Sequence, residues 1–213
     1  MKKEKKERVL SEAEKRRLEH FEKISEELKQ QGYTRHDLII DMGKANVFAI
    51  VLLVPLFVIG YWLYYKVNQR FDINNFKMIF FLVAYLVLIV VHELIHGLCW
   101  SIFTPHHFKD IEFGLMKPSM NPYCTCLVPL EKGQHIFGTA MPLILLGIIP
   151  MIAGIVMGNH SLMFLGILMI DGAAGDILII HKILSYKSQS QDTVYMDHPT
   201  EGGGVVFEKQ TLG

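Results

Sequence analysis

Apolar residues fall into four long runs along this chain, each bounded by charge or by a turn. No charged residue occurs between Lys44 and Lys66. The stretch 45–65 is therefore long enough to cross a hydrocarbon core of about 30 Å at about 1.5 Å per residue. Pro55 within it is tolerated where neighbouring helices re-satisfy the backbone, and Tyr61, Trp62, Tyr64 and Tyr65 form an interfacial aromatic belt at its far end. A second run covers 78–102, and its only polar interruption is His92, Glu93 and His96. Charge is again absent between Lys132 and Asp171, where a Gly158-Asn159-His160 turn separates a third run, 136–157, from a fourth, 161–181. This pattern predicts an all-α membrane protein with about four transmembrane helices.

The flanks read differently. Ser11 and Glu14 form a capping-box pair ahead of a charged helix, with Leu18, Phe21, Ile24 and Leu28 as one apolar stripe and Gly32 as terminator. Such an N-terminal amphipathic helix packs on the membrane domain or docks a protein partner. Between the second and third runs, Lys109–Leu115 and Tyr123–Leu130 have strand-like composition around the turn signal Lys117–Pro122. A small cytoplasmic β-hairpin is expected there. The organisation predicted is a charged helical segment (1–44), a four-span membrane domain (45–184) and a polar cytoplasmic tail (185–213) in which Val205-Val206-Phe207 forms a short strand.

Charge sets the orientation. The first 46 residues hold 12 of the 21 Lys and Arg, and Lys66, Arg70 and Lys77 follow the first span. The positive-inside rule then places the N-terminus in the cytoplasm, and four spans return the C-terminus there. The charged N-terminal stretch is too long for the n-region of a cleavable signal. A net charge of zero supplies no basic field for nucleic acid. The three cysteines, Cys99, Cys124 and Cys126, are too few for a disulfide framework and read as reduced packing residues.

Candidate chemistry sits in the second span. His92 and His96 are four residues apart, so both imidazoles project from one helix face and can share a metal, with Glu93 beside them to serve as a base. Three ionisable groups in an otherwise lipid-soluble helix should face the bundle interior. A zinc site for hydrolysis needs a third protein ligand and an open position for water. The fourth span offers Asp171 and Asp176. Counted from Met78, the histidines lie about 21 and 27 Å along the second span at about 1.5 Å per residue. Counted from Ser161, Asp171 lies about 15 Å and Asp176 about 22 Å along the fourth. The two acids are also about 140° apart around the helix, so Asp176 is the expected third ligand and Asp171 a structural acid. The pair His106-His107 reads as solvated loop, and His181 as interfacial.

The segment His92-Glu93-Leu94-Ile95-His96-Gly97, with Gly-Ala-Ala-Gly-Asp176-Ile-Leu-Ile downstream, resembles a family of bacterial zincin metallopeptidases catalogued as a domain of unknown function. Asp197-His198-Pro199-Thr200 and Gly204-Val205-Val206-Phe207 resemble that family's tail, so the likeness covers roughly 33–207. More distantly the layout is similar to site-2 proteases, which implies His92 and His96 as ligands, Glu93 as base and a later aspartate as third ligand. Here the chain departs from that pattern: Ile170-Asp171-Gly172 lacks the preceding Asn and Pro. Were that likeness the true one, Asp171 would be the ligand. The expectation is a membrane-embedded zinc metalloprotease acting on membrane-associated or transmembrane peptide substrates. The rival reading is a non-catalytic scaffold or metal-sensing subunit that works through a partner.

Overall fold

Charged and apolar segments that lie far apart in the chain assemble into a helical bundle with a β-sheet layer at one end. The structure, a computed structural model, describes residues 10–69, 78–116 and 121–210. Residues 117–120 of the expected hairpin turn, and the basic residues Arg70 and Lys77, lie outside them.

Helix α1 (Glu12–Gln30) starts at Ser11, whose hydroxyl accepts the Glu14 amide while the Glu14 carboxylate accepts the Ser11 amide. Strand β1 (Tyr33–Ile39) leads into α2 (Met42–Asn68), which is followed by α3 (Met78–Ser101). A short 3-10 turn precedes β2 (Ile111–Met116) and β3 (Asn121–Cys126), which pair antiparallel as a separate hairpin. Then come β4 (Leu130–Glu131), α4 (Lys132–Pro142), a π-helical turn (Leu143–Ile148) and α5 (Ile149–Met157). Pro150 has no N–H to donate to the carbonyl four residues earlier, which loosens the ladder where the π turn forms. Helices α6 (His160–Gly172) and α7 (Ala174–Ser185) precede β5 (Thr193–Asp197) and β6 (Gly203–Lys209).

The all-α expectation is corrected: the chain is 67% helical and 17% strand, with a four-stranded and a two-stranded antiparallel sheet. In the larger sheet the order is β1-β6-β5-β4. Segments that read as a charged arm and a polar tail pair with one another, Tyr33 opposite Lys209 and Ile39 opposite Gly203. Leu130, expected in the hairpin, belongs to this sheet instead and lies opposite Tyr195. The physical reason is burial from both sides. Val205 and Phe207 pack with Phe21 and Leu28 of α1, while Val206 packs with Ile183 of α7, as period-2 alternation requires. Phe21, Ile24 and Leu28 of the α1 stripe are thus covered by the sheet.

The four-span count is corrected with it. Three helices are long and apolar enough to cross a membrane: Met42–Asn68, Ile79–Ser101 and the continuous Lys132–Met157. A fourth exists only if α6 and α7 count as one span, because they bend by 49° at their junction. That bend falls in Gly172-Ala173-Ala174-Gly175, where small side chains do not hold the helix straight. Val47, Ile50, Val58, Phe80, Leu86 and Val156 stay exposed on α2, α3 and α5, forming the apolar band expected of a lipid-facing surface. By length and composition this is a membrane protein. Inside the bundle α5 and α6 touch backbone to backbone: a Cβ at Gly154 would collide with the Met163 backbone, and one at Gly166 with that of Met151.

Candidate metal centre

His92 and His96 stand on the inner face of α3 and are both buried. Asp176 stands in the first turn of α7, just past the bend from α6, and its carboxylate reaches both of them. The His92 Nε2 to His96 Nε2 distance is 3.1 Å, Asp176 Oδ2 lies 3.0 Å from His92 Nε2, and Asp176 Oδ1 lies 3.5 Å from His96 Nε2. Among the described residues this is the group of three His, Cys, Asp or Glu side chains able to hold a metal ion. Zinc at about 2.0–2.1 Å from tetrahedral ligands sets neighbouring ligand atoms about 3.3 Å apart, so the spacing fits that ion.

The tautomer fits as well. His96 Nδ1 lies 2.9 Å from the Gly138 carbonyl oxygen, which can only accept, so Nδ1 carries the proton and Nε2 presents its lone pair to the cluster. The ring is stacked on Trp100 at 5.2 Å between centroids, with a 15° interplanar angle. Trp100 in turn donates its indole N–H to the His135 carbonyl.

Glu93 is half-buried beside the histidines, and the backbone N–H of Cys124 on β3 is directed at its carboxylate. The hairpin reaches this position because Gly97 leaves room: a Cβ there would meet Phe113 of β2 and sit 3.0 Å from Ile111. Gly97 therefore admits the hairpin.

Asp171 is not in the cluster. It lies in the last turn of α6, and its Oδ1 is buried with no hydrogen-bond partner among the described residues. His106 pairs with Asp110, and His107 donates to the Ser101 carbonyl. His181 is exposed. Burial pushes the Cys126 thiol up to about 12 and raises that of Cys124 as well, so both stay protonated at neutral pH. Cys99 is also free and buried.

Sequence reasoning missed a second buried cluster. His135 Nε2 lies 3.1 Å from Asp197 Oδ1, and Asp197 Oδ2 accepts the Cys126 amide at 2.9 Å and the Thr125 hydroxyl at 3.1 Å. The one signal in the sequence was the Asp197-His198-Pro199-Thr200 run. Its histidine caps the following turn by accepting the amides of Thr200 and Glu201.

A bundle of membrane-length helices with an H-E-x-x-H pair and a carboxylate converging at ligand spacing defines a zincin-type membrane protein. Residues 85–191 match the pattern of the family described as putative zincin peptidase, and the chain belongs to that family. Neither a curated protein nor a solved structure matches it. The likeness to site-2 proteases gains no support from these comparisons.

Proposed function

We propose that the chain is a membrane zinc metallopeptidase that hydrolyses peptide bonds of membrane-associated or transmembrane substrates. The observation that carries this reading is the mutual spacing of 3.0–3.5 Å among His92, His96 and Asp176. His92, His96 and Asp176 are the proposed ligands. When bound there, zinc would supply Lewis acidity towards the scissile carbonyl and towards water. Glu93 accepts the proton of the attacking water and returns it to the leaving amine. Gly138 holds His96 with its lone pair facing inward. The β2–β3 hairpin beside Glu93 would supply an edge that holds an extended substrate near the site. We place the N-terminus in the cytoplasm, on the strength of the basic N-terminal segment, and the C-terminus with it, because β6 pairs with β1.

The test is metal content by mass spectrometry on protein purified in mild detergent, with His96→Ala, Asp176→Asn and Asp171→Asn alongside. The expected result is about one zinc per chain, lost in the first two variants and kept in Asp171→Asn. Loss in Asp171→Asn with retention in Asp176→Asn would reverse the assignment. No zinc after adding it back to folded protein would reject the peptidase reading in favour of a scaffold.

A further inference from the structure

Two elements beside the His92–His96–Asp176 cluster, β3 and α4, are tied together by one carboxylate from β5. Asp197 closes β5, beyond the residues that match the family pattern. Its carboxylate is the shared acceptor for three donors on two other elements. These are the Cys126 amide and the Thr125 hydroxyl on β3, and His135 Nε2 on α4. The side chain of His135 is 1% exposed and that of Asp197 13%. Thr139 Oγ1 lies 3.3 Å from His135 Nδ1 and donates to the His135 carbonyl at 2.8 Å.

Both elements gripped by Asp197 end at the proposed centre. From Cys126, two residues back along β3, the Cys124 amide is directed at Glu93. From His135, the carbonyl oxygen accepts the Trp100 indole N–H, and that indole is stacked on His96. One turn further along α4, Gly138 accepts from His96 Nδ1. One carboxylate therefore reaches the candidate base through β3 and a candidate ligand through α4.

We propose that Asp197 is a positioning residue for the metal centre, bracing β3 and α4 so that Glu93 and His96 keep their places. This rests on the peptidase reading for its metal readout but not for its structural one. The carboxylate does not touch the cluster; it acts through the Cys124 amide and through Trp100. Burial alone would raise the Asp197 carboxyl, but the His135 contact and the two β3 donors outweigh it and hold the group below the ordinary carboxylate range. It is therefore ionised at neutral pH and accepts all three hydrogen bonds. Groups that orient a metal ligand from outside its shell typically change metal affinity by about 10- to 100-fold when removed.

The experiment compares Asp197→Ala, Asp197→Asn, Thr125→Val and Glu208→Gln with the parent in detergent. Glu208 is the control, because it anchors the Ser188–Ser190 linker to the same sheet without touching β3 or α4. Two quantities are read: zinc affinity by chelator competition, and hydrogen exchange of residues 121–128. Asp197→Ala should weaken zinc binding about tenfold or more and speed exchange at both Cys126 and Cys124. Asp197→Asn, which keeps an acceptor for the Cys126 amide, should recover most of the loss. Glu208→Gln should stay within about twofold on both readouts. Should Asp197→Ala fail to fold, Thr125→Val, which removes one donor and keeps the carboxylate, must shift both readouts in the same direction. The proposal is overturned if folded Asp197→Ala or Thr125→Val leaves both unchanged, or if Glu208→Gln loses as much as Asp197→Ala. If the parent binds no zinc, the peptidase reading fails while exchange at Cys124 still decides the brace.

Discussion

Replacing Gly138 by alanine tests whether the Trp100–His96 stack matters for metal binding. A Cβ at position 138 would lie 2.8 Å from Trp100 Cε2 and closer still to Nε1 and Cδ1. The indole cannot retreat easily: it is 3% exposed, stacked on His96 and bonded to the His135 carbonyl. Forcing a methyl into a packed site costs about 1–3 kcal/mol, and losing the indole hydrogen bond costs about 1 kcal/mol more. Alanine's better helix propensity returns about 0.5–1 kcal/mol, so the net destabilisation is about 1–3.5 kcal/mol. Gly133 lies in the same helix with nothing within 4 Å of its notional Cβ. Gly133→Ala should therefore be neutral or stabilising by up to about 1 kcal/mol. The assay is thermal unfolding in detergent, paired with zinc affinity by chelator competition. Gly138→Ala should lower both, with affinity falling about tenfold because the ring that orients His96 has shifted. If Gly138→Ala matches Gly133→Ala in both, Trp100 does not support the ligand and the reasoning fails.

Other substitutions probe other parts of the argument. Glu93→Gln should keep zinc and abolish cleavage of a reporter membrane peptide, and persisting cleavage would remove Glu93 from its role. Gly166→Ala brings a Cβ against the Met151 backbone, which cannot swing aside. It should destabilise the bundle by about 1–3 kcal/mol or more in thermal unfolding, and an unchanged midpoint would refute the close α5–α6 contact. Glu208 is held at about 2, below its usual 4.5, by the Tyr186 and Ser188 hydroxyls and two backbone amides, which outweigh burial. Its contribution is complete above pH 4.5 and fades as pH falls towards 2. The protection of β6 amides, relative to their intrinsic exchange at each pH, should therefore fall across that window in metal-free protein, with a shallower pH dependence in Glu208→Gln. Arg17 bonds Glu112 and the Pro199 carbonyl and lies over the Tyr123 ring. Arg17→Ala should free α1 from the hairpin, seen as faster proteolysis ahead of residue 33 with zinc affinity unchanged.

The residues of the converging cluster could be named from sequence because helices obey local rules. A four-residue spacing puts His92 and His96 on one face whatever the rest of the chain does. A fixed rise also lets depth be compared between Met78 and His92 on one helix and between Ser161 and Asp176 on another. The bend at Ala173 breaks that straight-rod assumption, yet it falls before Asp176, whose carboxylate still reaches both histidines of α3. Strands offered no such handle. β1 carries Arg35, His36 and Asp37 and reads as part of a charged arm, while its partner β6 lies about 170 residues away. Nothing local announces that pairing, because what stabilises it is burial of Val205, Val206 and Phe207 between α1 and α7.

The same limit explains why the brace was invisible. His135 and Asp197 are 62 residues apart, nothing in the Asp197-His198-Pro199-Thr200 run points to His135, and they meet only once β5 has joined β4 at the foot of α4. The H-E-x-x-H helix supplies donor atoms, but the Gly138 carbonyl and Trp100 decide which nitrogen of His96 is free and which way its ring faces. Both depend on α4, and α4 is tied to the sheet through Asp197. Read from its motif alone, the candidate centre would end at the hydrocarbon boundary, whereas the partners of His96 are tied through His135 to a strand that the hydropathy pattern assigns to a tail.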